Sequence, residues 1–381
     1  MRIGLVIDHL DPRRGGAELW TCQHAEQLLA RGHEVHVVTQ DVSGSAKQLG
    51  IVPHCLGPIR SVLSRAAAAE QKLRTLGLDV IHDFGTGWYN DILQSPNGSR
   101  IAQWESMLQL LPAWVRPWKR AMIGVLPRYH DFRRLMARQF GDSGRIVLAI
   151  SQMCARDYQH YHGVPPERIR LVYHGVDSKQ FSSDKCEHLR EPVRDRLGIR
   201  ENETVFLFVG HNFRLKGLAT AVRAIDRLAA EGHMVRLLVV GGKRHNKVPH
   251  PAHRAAVTMV GAIDDPMPYY AAADAVVLPT FYDSFGLVVL EAAACGLPIV
   301  TTRMAGASEL LSNGRDGYVI SNPADEEELA VCLRRLLDPA LRRRMGIAAR
   351  KLAVAHSADR SCNEIISIYQ QIAGRTLRRA A

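Results

Sequence analysis

The chain has 381 residues, 46% hydrophobic and 23% charged, and its 49 Lys+Arg against 38 Asp+Glu leave a net charge of +11. At about 150 residues per domain this is two or three domains, with cores large enough to need no disulfide or metal staple. The composition excludes a disordered chain, and no run of 18 apolar residues exists to span a membrane. The positive charge points to nucleic acid, an anionic membrane or a phosphorylated small molecule without choosing among them.

Met1-Arg-Ile-Gly-Leu-Val-Ile-Asp8 has too short an apolar stretch for a signal peptide and predicts a first strand over Ile3–Ile7. A helix over Ala17–Ala30 and a strand over Val35–Thr39 follow. The alternation returns at Val205–Val209, Leu218–Ala230 and Val235–Val240. It continues through Thr258–Val260, Tyr269–Ala273, Ala275–Leu278, Leu287–Cys295 and Pro298–Thr301. Continuous Val/Ile/Leu strands separated by helices predict parallel sheets covered on both faces. Such sheets bind ligands beyond the carboxyl ends of their strands. Between Asp177 and Thr204 the pattern lapses into polar sequence, which marks a domain boundary. The expected domains are 1–178 and 179–357, two Rossmann-like α/β units facing across a cleft. A C-terminal helix, 358–381, carries Ile365, Ile366, Ile368, Tyr369 and Ile372 and is expected to pack back on the first unit. The seven cysteines are scattered and form no CxxC pair, as in a cytoplasmic protein with reduced thiols.

Three loops that follow strands carry the chemistry. The first, Asp11-Pro-Arg-Arg-Gly15-Gly16-Ala17-Glu18, joins the first strand to the first helix. Its glycines allow a tight turn and close ligand approach, but it is not GxGxxG, which argues against a nicotinamide or flavin cofactor. The second, Gly210-His-Asn-Phe-Arg214-Leu-Lys216-Gly217, offers two cations able to neutralise a diphosphate, or simply a solvated basic loop. The third, Asp283-Ser284-Phe285-Gly286-Leu287, ends where a helix begins, and free amides at 285–287 would bind an anion. Glu291 lies one to two turns into that helix among apolar residues, where a carboxylate needs a partner. Ligand hydroxyls would serve; so would a nearby arginine, with Asp283 as a plain helix cap. No Asp-x-Asp occurs, and the histidines form no HExxH or other metal spacing, so no metal is expected.

Asp283 and Glu291, eight positions apart with Phe-Gly-Leu between and Glu-Ala-Ala-Ala-Cys-Gly-Leu-Pro closing, resemble the acidic signature of family 4 glycosyltransferases. These are retaining enzymes of the GT-B fold. Asp283 stands where the family has its first Glu. The resemblance implies that Asp283 contacts the donor sugar and Glu291 the ribose. It implies that Lys216 and Arg214 hold the diphosphate, and that the Gly15-Gly16 loop closes on donor phosphate and acceptor. Gly210 and Gly242 match strand-end glycine turns, and Ile263 falls where the backbone reads the base. Many members carry a His after an N-terminal-domain strand; here Asn97 is nearest that position, and Asp79-Val-Ile-His82-Asp83, which resembles the family's Asp-Val-x-His strand end, puts His82 near the cleft as either a catalytic or a structural residue. Without a His, the leaving phosphate itself would take the acceptor's proton.

Residues 116–145 hold eight Arg/Lys against Asp131 and Asp142, a net +6 of the +11. Trp118, Met122, Val125, Tyr129, Phe132, Met136 and Phe140 recur at helical spacing, Pro127 interrupts them, and Trp88, Trp104 and Trp114 lie in or beside the segment. This is the pattern of an interfacial helix or of an ordinary amphipathic one. The Phe-x-x-Lys-Gly loop and the stretch from Asp157-Tyr-Gln-His-Tyr to Pro166-Glu-Arg-Ile-Arg-Leu are similar to bacterial lipopolysaccharide-core glucosyltransferases. The resemblance implies a metal-independent hexose transfer, of glucose from a UDP-sugar to a lipopolysaccharide-core or other lipid-linked acceptor. The expected partners are that donor, that acceptor and an anionic membrane surface through 104–145, on the cytoplasmic face of the inner membrane. A non-catalytic nucleotide-sugar binder is the alternative. A nucleic-acid binder lacks any helix-turn-helix, zinc or RNA-binding signature.

Overall fold

A computed structural model describes residues 1–141, 144–242 and 257–380. The chain divides into two compact units, residues 1–173 with the segment from Asp359 onward, and His174–Ala358. In the first unit the elements run β1 (Arg2–Val6), α1 (Gly16–Ala30), β2 (Glu34–Thr39), β3 (Val52–Cys55), α2 (Val62–Leu73), β4 (Val80–Asp83) and β5 (Ile92–Leu93). They continue with α3 (Arg100–Gln109), α4 (Arg116–Val125), α5 (Pro127–Phe140), β6 (Ile146–Ala149), α6 (Gln152–His162) and β7 (Ile169–Leu171). The strands form one parallel sheet, ordered β3-β2-β1-β4-β5-β6-β7. All four residues of β4 are buried, as in a strand covered on both faces.

The second unit begins with α7 (Ser183–Arg196) and β8 (Thr204–Val209), then α8 (Leu218–Ala230), β9 (Val235–Val240), β10 (Val257–Gly261), α9 (Met267–Ala272) and β11 (Ala275–Leu278). After these come α10 (Leu287–Ala294), β12 (Ile299–Thr302), β13 (Gly317–Ile320), α11 (Glu326–Arg335) and α12 (Pro339–Ala355). Its parallel sheet is ordered β10-β9-β8-β11-β12-β13. Leu218, Val222, Ile225 and Leu228 line one face of α8 at helical spacing and pack with Phe206, Phe208 and Val277 of the sheet.

The polar stretch expected to be a boundary is instead largely α7, an element of the second unit. Its anchors are arginines rather than an apolar stripe, so hydrophobic periodicity does not reveal it. Arg190 reaches the Ala271 and Ala273 carbonyls and the Asp274 carboxylate; Arg194 reaches Ala272, Arg200 and Glu203 carbonyls. These bonds satisfy carbonyls at the carboxyl end of α9 that no further helical turn could reach.

The last helix, α13 (Ala358–Ala380), belongs to the first unit from Asp359 onward. Ile365 and Ile368 are buried, and the fully buried Tyr369 hydroxyl bridges His24 Nε2 at 3.0 Å and His82 Nδ1 at 2.6 Å. Arg31 adds bonds to Asp359 and Asn363. Burying each isoleucine contributes roughly 1.5–3 kcal/mol, so the helix is a structural part of that unit.

In each sheet the strand order reverses once, between β1 and β4 and between β8 and β11. At such a reversal the loops at the carboxyl ends diverge and leave a crevice. The loops after β8 and β11 hold Lys216 and Asp283, and the loop after β1 holds Gly15.

Candidate active site

The loop after β8 turns at Gly210 and re-enters helix at Gly217, with φ of +77°. A Cβ on Gly217 would lie 1.9 Å from the Pro279 carbonyl oxygen, so only glycine lets the two loops meet. They are then tied together: Phe281 N donates to Leu215 O at 2.8 Å and Thr280 Oγ1 to the same carbonyl at 3.2 Å. From β12, Thr302 Oγ1 donates to Thr280 O at 2.7 Å. Asp283 N donates to Met304 O at 2.8 Å, and Asp283 O accepts from Gly306 N at 2.9 Å. This lattice of backbone bonds brings Lys216 Nζ into an ion pair with Asp283 Oδ2, both side chains mostly buried. Gly286 caps α10 in the left-handed region, and no side chain caps that helix. Its missing side chain leaves room for the Asp283 carboxylate, whose Oδ2 would sit 3.2 Å from a Cβ there. An ammonium, a carboxylate and the positive end of a helix dipole are thus juxtaposed in one unit. Arg214 lies exposed on the same loop as Lys216.

Glu291 sits half-buried on α10 and accepts a hydrogen bond from Tyr270 Oη at 2.6 Å. Burial pushes its carboxyl up to about 7, with the Tyr270 bond opposing that rise. Tyr270 is fully buried on α9. It was not legible as a partner in the sequence, because 21 residues separate the two. Ser284 and Phe285 are buried, the Phe285 ring edge-on to His174 at 5.2 Å. Gly242 and Gly241 have positive φ at the end of β9, where Gly241 N donates to Gly261 O at 2.7 Å. Ile263 is half-buried two residues past β10.

In the first unit, Gly15 is the N-cap of α1 and Gly16 its first residue. Asn97 is exposed in a turn closed by Gly98 N donating to Ser95 O at 3.0 Å. Arg14, Ala17 and Glu18, which flank the two glycines, line one cavity of about 270 Å³ together with Asn97. His82 is not there. It is 0% exposed, on β4 beneath α13, where it shares the Tyr369 hydroxyl with His24. Its ring has no face open to an acceptor, so it is a packing group and not a base. Asp83 is fully buried as well; it accepts from Thr86 N and Gly87 N at 2.7 Å each, and burial holds its carboxyl up at about 7. The cavity also contains residues that periodicity gives no reason to single out: Asp8, Arg65 and Arg100.

The basic aromatic segment divides at Leu126, where the backbone leaves helix before Pro127. The single stripe expected across it serves two purposes. Leu135, Met136 and Phe140 of α5 are buried, and Trp88 is core, its Nε1 donating to Glu70 Oε2 at 2.6 Å beneath the Arg138 guanidinium. On and before α4 the apolar groups face out: Trp114 is 76%, Trp118 75% and Val125 81% exposed, with Arg116 and Arg120 exposed beside them. Asp142 and the Arg128 side chain lie outside the described residues. Among the described residues no helix is long and apolar enough to cross a membrane, and no group of three His, Cys, Asp or Glu is placed to hold a metal ion.

Two family models match the chain in tandem, Glycosyltransferase Family 4 over residues 14–180 and Glycosyl transferases group 1 over residues 203–339. The chain is 26% identical to the lipopolysaccharide glucosyltransferase WaaG of Escherichia coli K12, over 85% of this chain and 86% of that protein. The crystal structure of WaaG superposes with a TM-score of 0.80 at 23% identity, covering 96% of this chain and 99% of that one. A D-inositol 3-phosphate glycosyltransferase of Acidothermus cellulolyticus is 33% identical, over 57% of this chain and only 51% of its own length. Anabaena HepE in complex with UDP-glucose superposes with a TM-score of 0.71 at 18% identity, covering 99% and 100% of the two chains. These structural likenesses establish the GT-B fold.

Proposed function

Given that the chain belongs to the glycosyltransferases of family 4 and group 1, we propose that it moves glucose from UDP-glucose, with retention, to a lipopolysaccharide-core or other lipid-linked acceptor. The observation that carries this reading is the Lys216–Asp283 pair at the open end of α10, with Glu291 on the same helix. A donor diphosphate would take Lys216 from Asp283, with Arg214 and the α10 amino terminus sharing the charge. The freed Asp283 carboxylate would accept hydroxyls of the sugar, and Glu291 those of the ribose. Gly242, Ile263 and the Ser284-Phe285-Gly286-Leu287 backbone would border the nucleotide.

Asn97 has no basic nitrogen, so the proton goes elsewhere. The acceptor oxygen bonds to the anomeric carbon on the face from which the phosphate leaves. The bond from that carbon to the β-phosphate oxygen breaks, and the acceptor's proton passes to the departing phosphate oxygen. The protein's part is to hold acceptor and leaving phosphate side by side on one face of the sugar, stabilise the leaving charge and exclude water. No step here needs a metal. The likeness to a lipopolysaccharide glucosyltransferase, WaaG, supports the acceptor class, and the UDP-glucose complex of HepE supports the donor; the inositol-phosphate relatives keep a phosphorylated polyol in view. The exposed Trp114 and Trp118 with Arg116 and Arg120 suit an anionic membrane surface, on which a lipid-linked acceptor would be met.

The test is UDP release from UDP-glucose with a glucose-deficient lipopolysaccharide core as acceptor, the product's anomeric configuration being read by NMR. Lys216→Ala and Glu291→Ala should lose transfer while remaining folded by circular dichroism, though each melts lower because Asp283 or the Tyr270 hydroxyl loses its partner. Unchanged turnover in either variant, or an inverted product, would overturn the assignment.

A further inference from the structure

The cavity of about 270 Å³ in the first unit is lined wholly by residues of that unit. Its size is near the lower end of small-molecule pockets, roughly 300–1,000 Å³. That suits one sugar ring with a substituent rather than a lipid chain. Its charged lining is unusual. Asp8 and Arg65 form an ion pair, Arg65 Nε lying 2.5 Å from Asp8 Oδ1; Arg65 Nη1 also donates to the Ile59 carbonyl and Asp8 Oδ1 accepts from Gln40 Nε2. Glu18 lies back against the Gly15 turn, and Arg14 is exposed at the rim. Arg100 is left over. Its guanidinium lies over the Phe132 ring at 4.4 Å, and no hydrogen bond to any described residue satisfies it.

Asp8 and the Phe132 ring excepted, most of what surrounds Arg100 disfavours a bare cation. It is the first residue of α3, where the helix dipole is positive. Burial lowers its affinity for a proton, and the nearby Arg65 charge adds to that, with Asp8 the opposing influence. A half-buried cation that faces a cavity with no carboxylate of the described residues bonded to it is a ready site for an anion. The ring beneath it holds the fork flat and in position for two-point contact with an oxyanion.

We propose that this cavity receives the acceptor sugar and that Arg100 there pairs with an anionic substituent on it, a phosphate or a carboxylate. The inference rests on the glycosyltransferase reading above and deepens it by giving the acceptor a charge. Arg65, held by Asp8, would supply a second donor, and Asn97 at the rim would contact the ring hydroxyls.

The experiment is titration calorimetry on the full chain, first with UDP, then, with UDP saturating, with glucose 6-phosphate, glucuronate and glucose in turn. The charged sugars should bind measurably more tightly than glucose, and the tighter of the two distinguishes phosphate from carboxylate. Arg100→Gln should weaken the preferred sugar at least about tenfold and leave UDP affinity unchanged. Arg100→Lys, which keeps the charge but loses the fork, should lose less. UDP binding that survives in Arg100→Gln also reports that the variant is folded. Equal response to charged and neutral sugars, including none to either, overturns the inference alone, as does an Arg100→Gln affinity equal to the parent's. Failure of the parent to bind UDP overturns the donor reading and this inference with it.

Discussion

The closeness of the two loops at Gly217 can be tested by adding one methyl group. Gly217 and Gly232 both have positive φ, +77° and +87°. Alanine in that region costs about 1–2 kcal/mol in backbone strain, partly offset by about 0.4–1 kcal/mol from a stiffer unfolded chain. Gly232→Ala should therefore destabilise by about 1 kcal/mol or less, since a Cβ there meets nothing within 4 Å. At Gly217 the same methyl meets the Pro279 carbonyl oxygen at 1.9 Å and its carbon at 2.8 Å. Backbone on both sides must retreat. The bonds from Phe281 N and Thr280 Oγ1 to Leu215 O are the first to stretch. Losing them adds about 0.5–1.5 kcal/mol each, so Gly217→Ala should cost about 2–4 kcal/mol. Because the retreat also moves the Lys216 loop away from the Asp283 loop, so that one donor no longer reaches both, UDP-glucose affinity should fall at least about tenfold in Gly217→Ala and stay unchanged in Gly232→Ala. Urea unfolding and titration calorimetry on the two variants measure both quantities. Equal stability and equal affinity in the pair would refute the claim that backbone contact, and not glycine's torsional freedom alone, sets the loop geometry.

Glu291 makes donor binding depend on pH. Its carboxyl is pushed up to about 7 by burial. Ribose hydroxyls donate to the ionised form, so the bound state has the lower pKa, binding expels a proton and affinity rises with pH. Between pH 6 and 8 UDP-glucose affinity should rise about tenfold in the parent and stay flat in Glu291→Gln; a parallel rise in both would remove Glu291 from the site. The membrane reading predicts that Trp114→Ser with Trp118→Ser reduces co-sedimentation with vesicles containing anionic lipid, with UDP binding untouched. Equal binding of the parent to anionic and neutral vesicles would remove the electrostatic part.

The features that were legible from residue order are those encoded over short distances. Val/Ile runs of strand length place β1, β2, β8, β9, β11 and β12, and glycines at 15, 210, 217, 286 and 296 mark where strands pass into helices or helices end. A loop that joins a strand to a helix in a parallel sheet must emerge at the strand's carboxyl end, so Lys216 and Asp283 are placed at one edge of their sheet by connectivity alone. α7 escapes such reading because Arg190 and Arg194 anchor it by capping carbonyls about 80 positions away, and that leaves no local period.

Which side chains meet was decided only by packing. Lys216 and Asp283 are 67 positions apart, and their pairing follows from the order in which β8 and β11 sit in the sheet. His82 reads as a candidate base from its position at a strand end, yet α13, 287 positions later, covers it with Tyr369. Arg100 looks like an ordinary helical arginine until Phe132, Asp8 and Arg65 close around it. Backbone conformation is set by steric and hydrogen-bonding preferences of a few adjacent residues, so it is written in the local sequence. Burial, ion pairing and the charge state of a carboxyl depend on what the folded sheets bring alongside, and that information lies in residues the chain returns only after many turns.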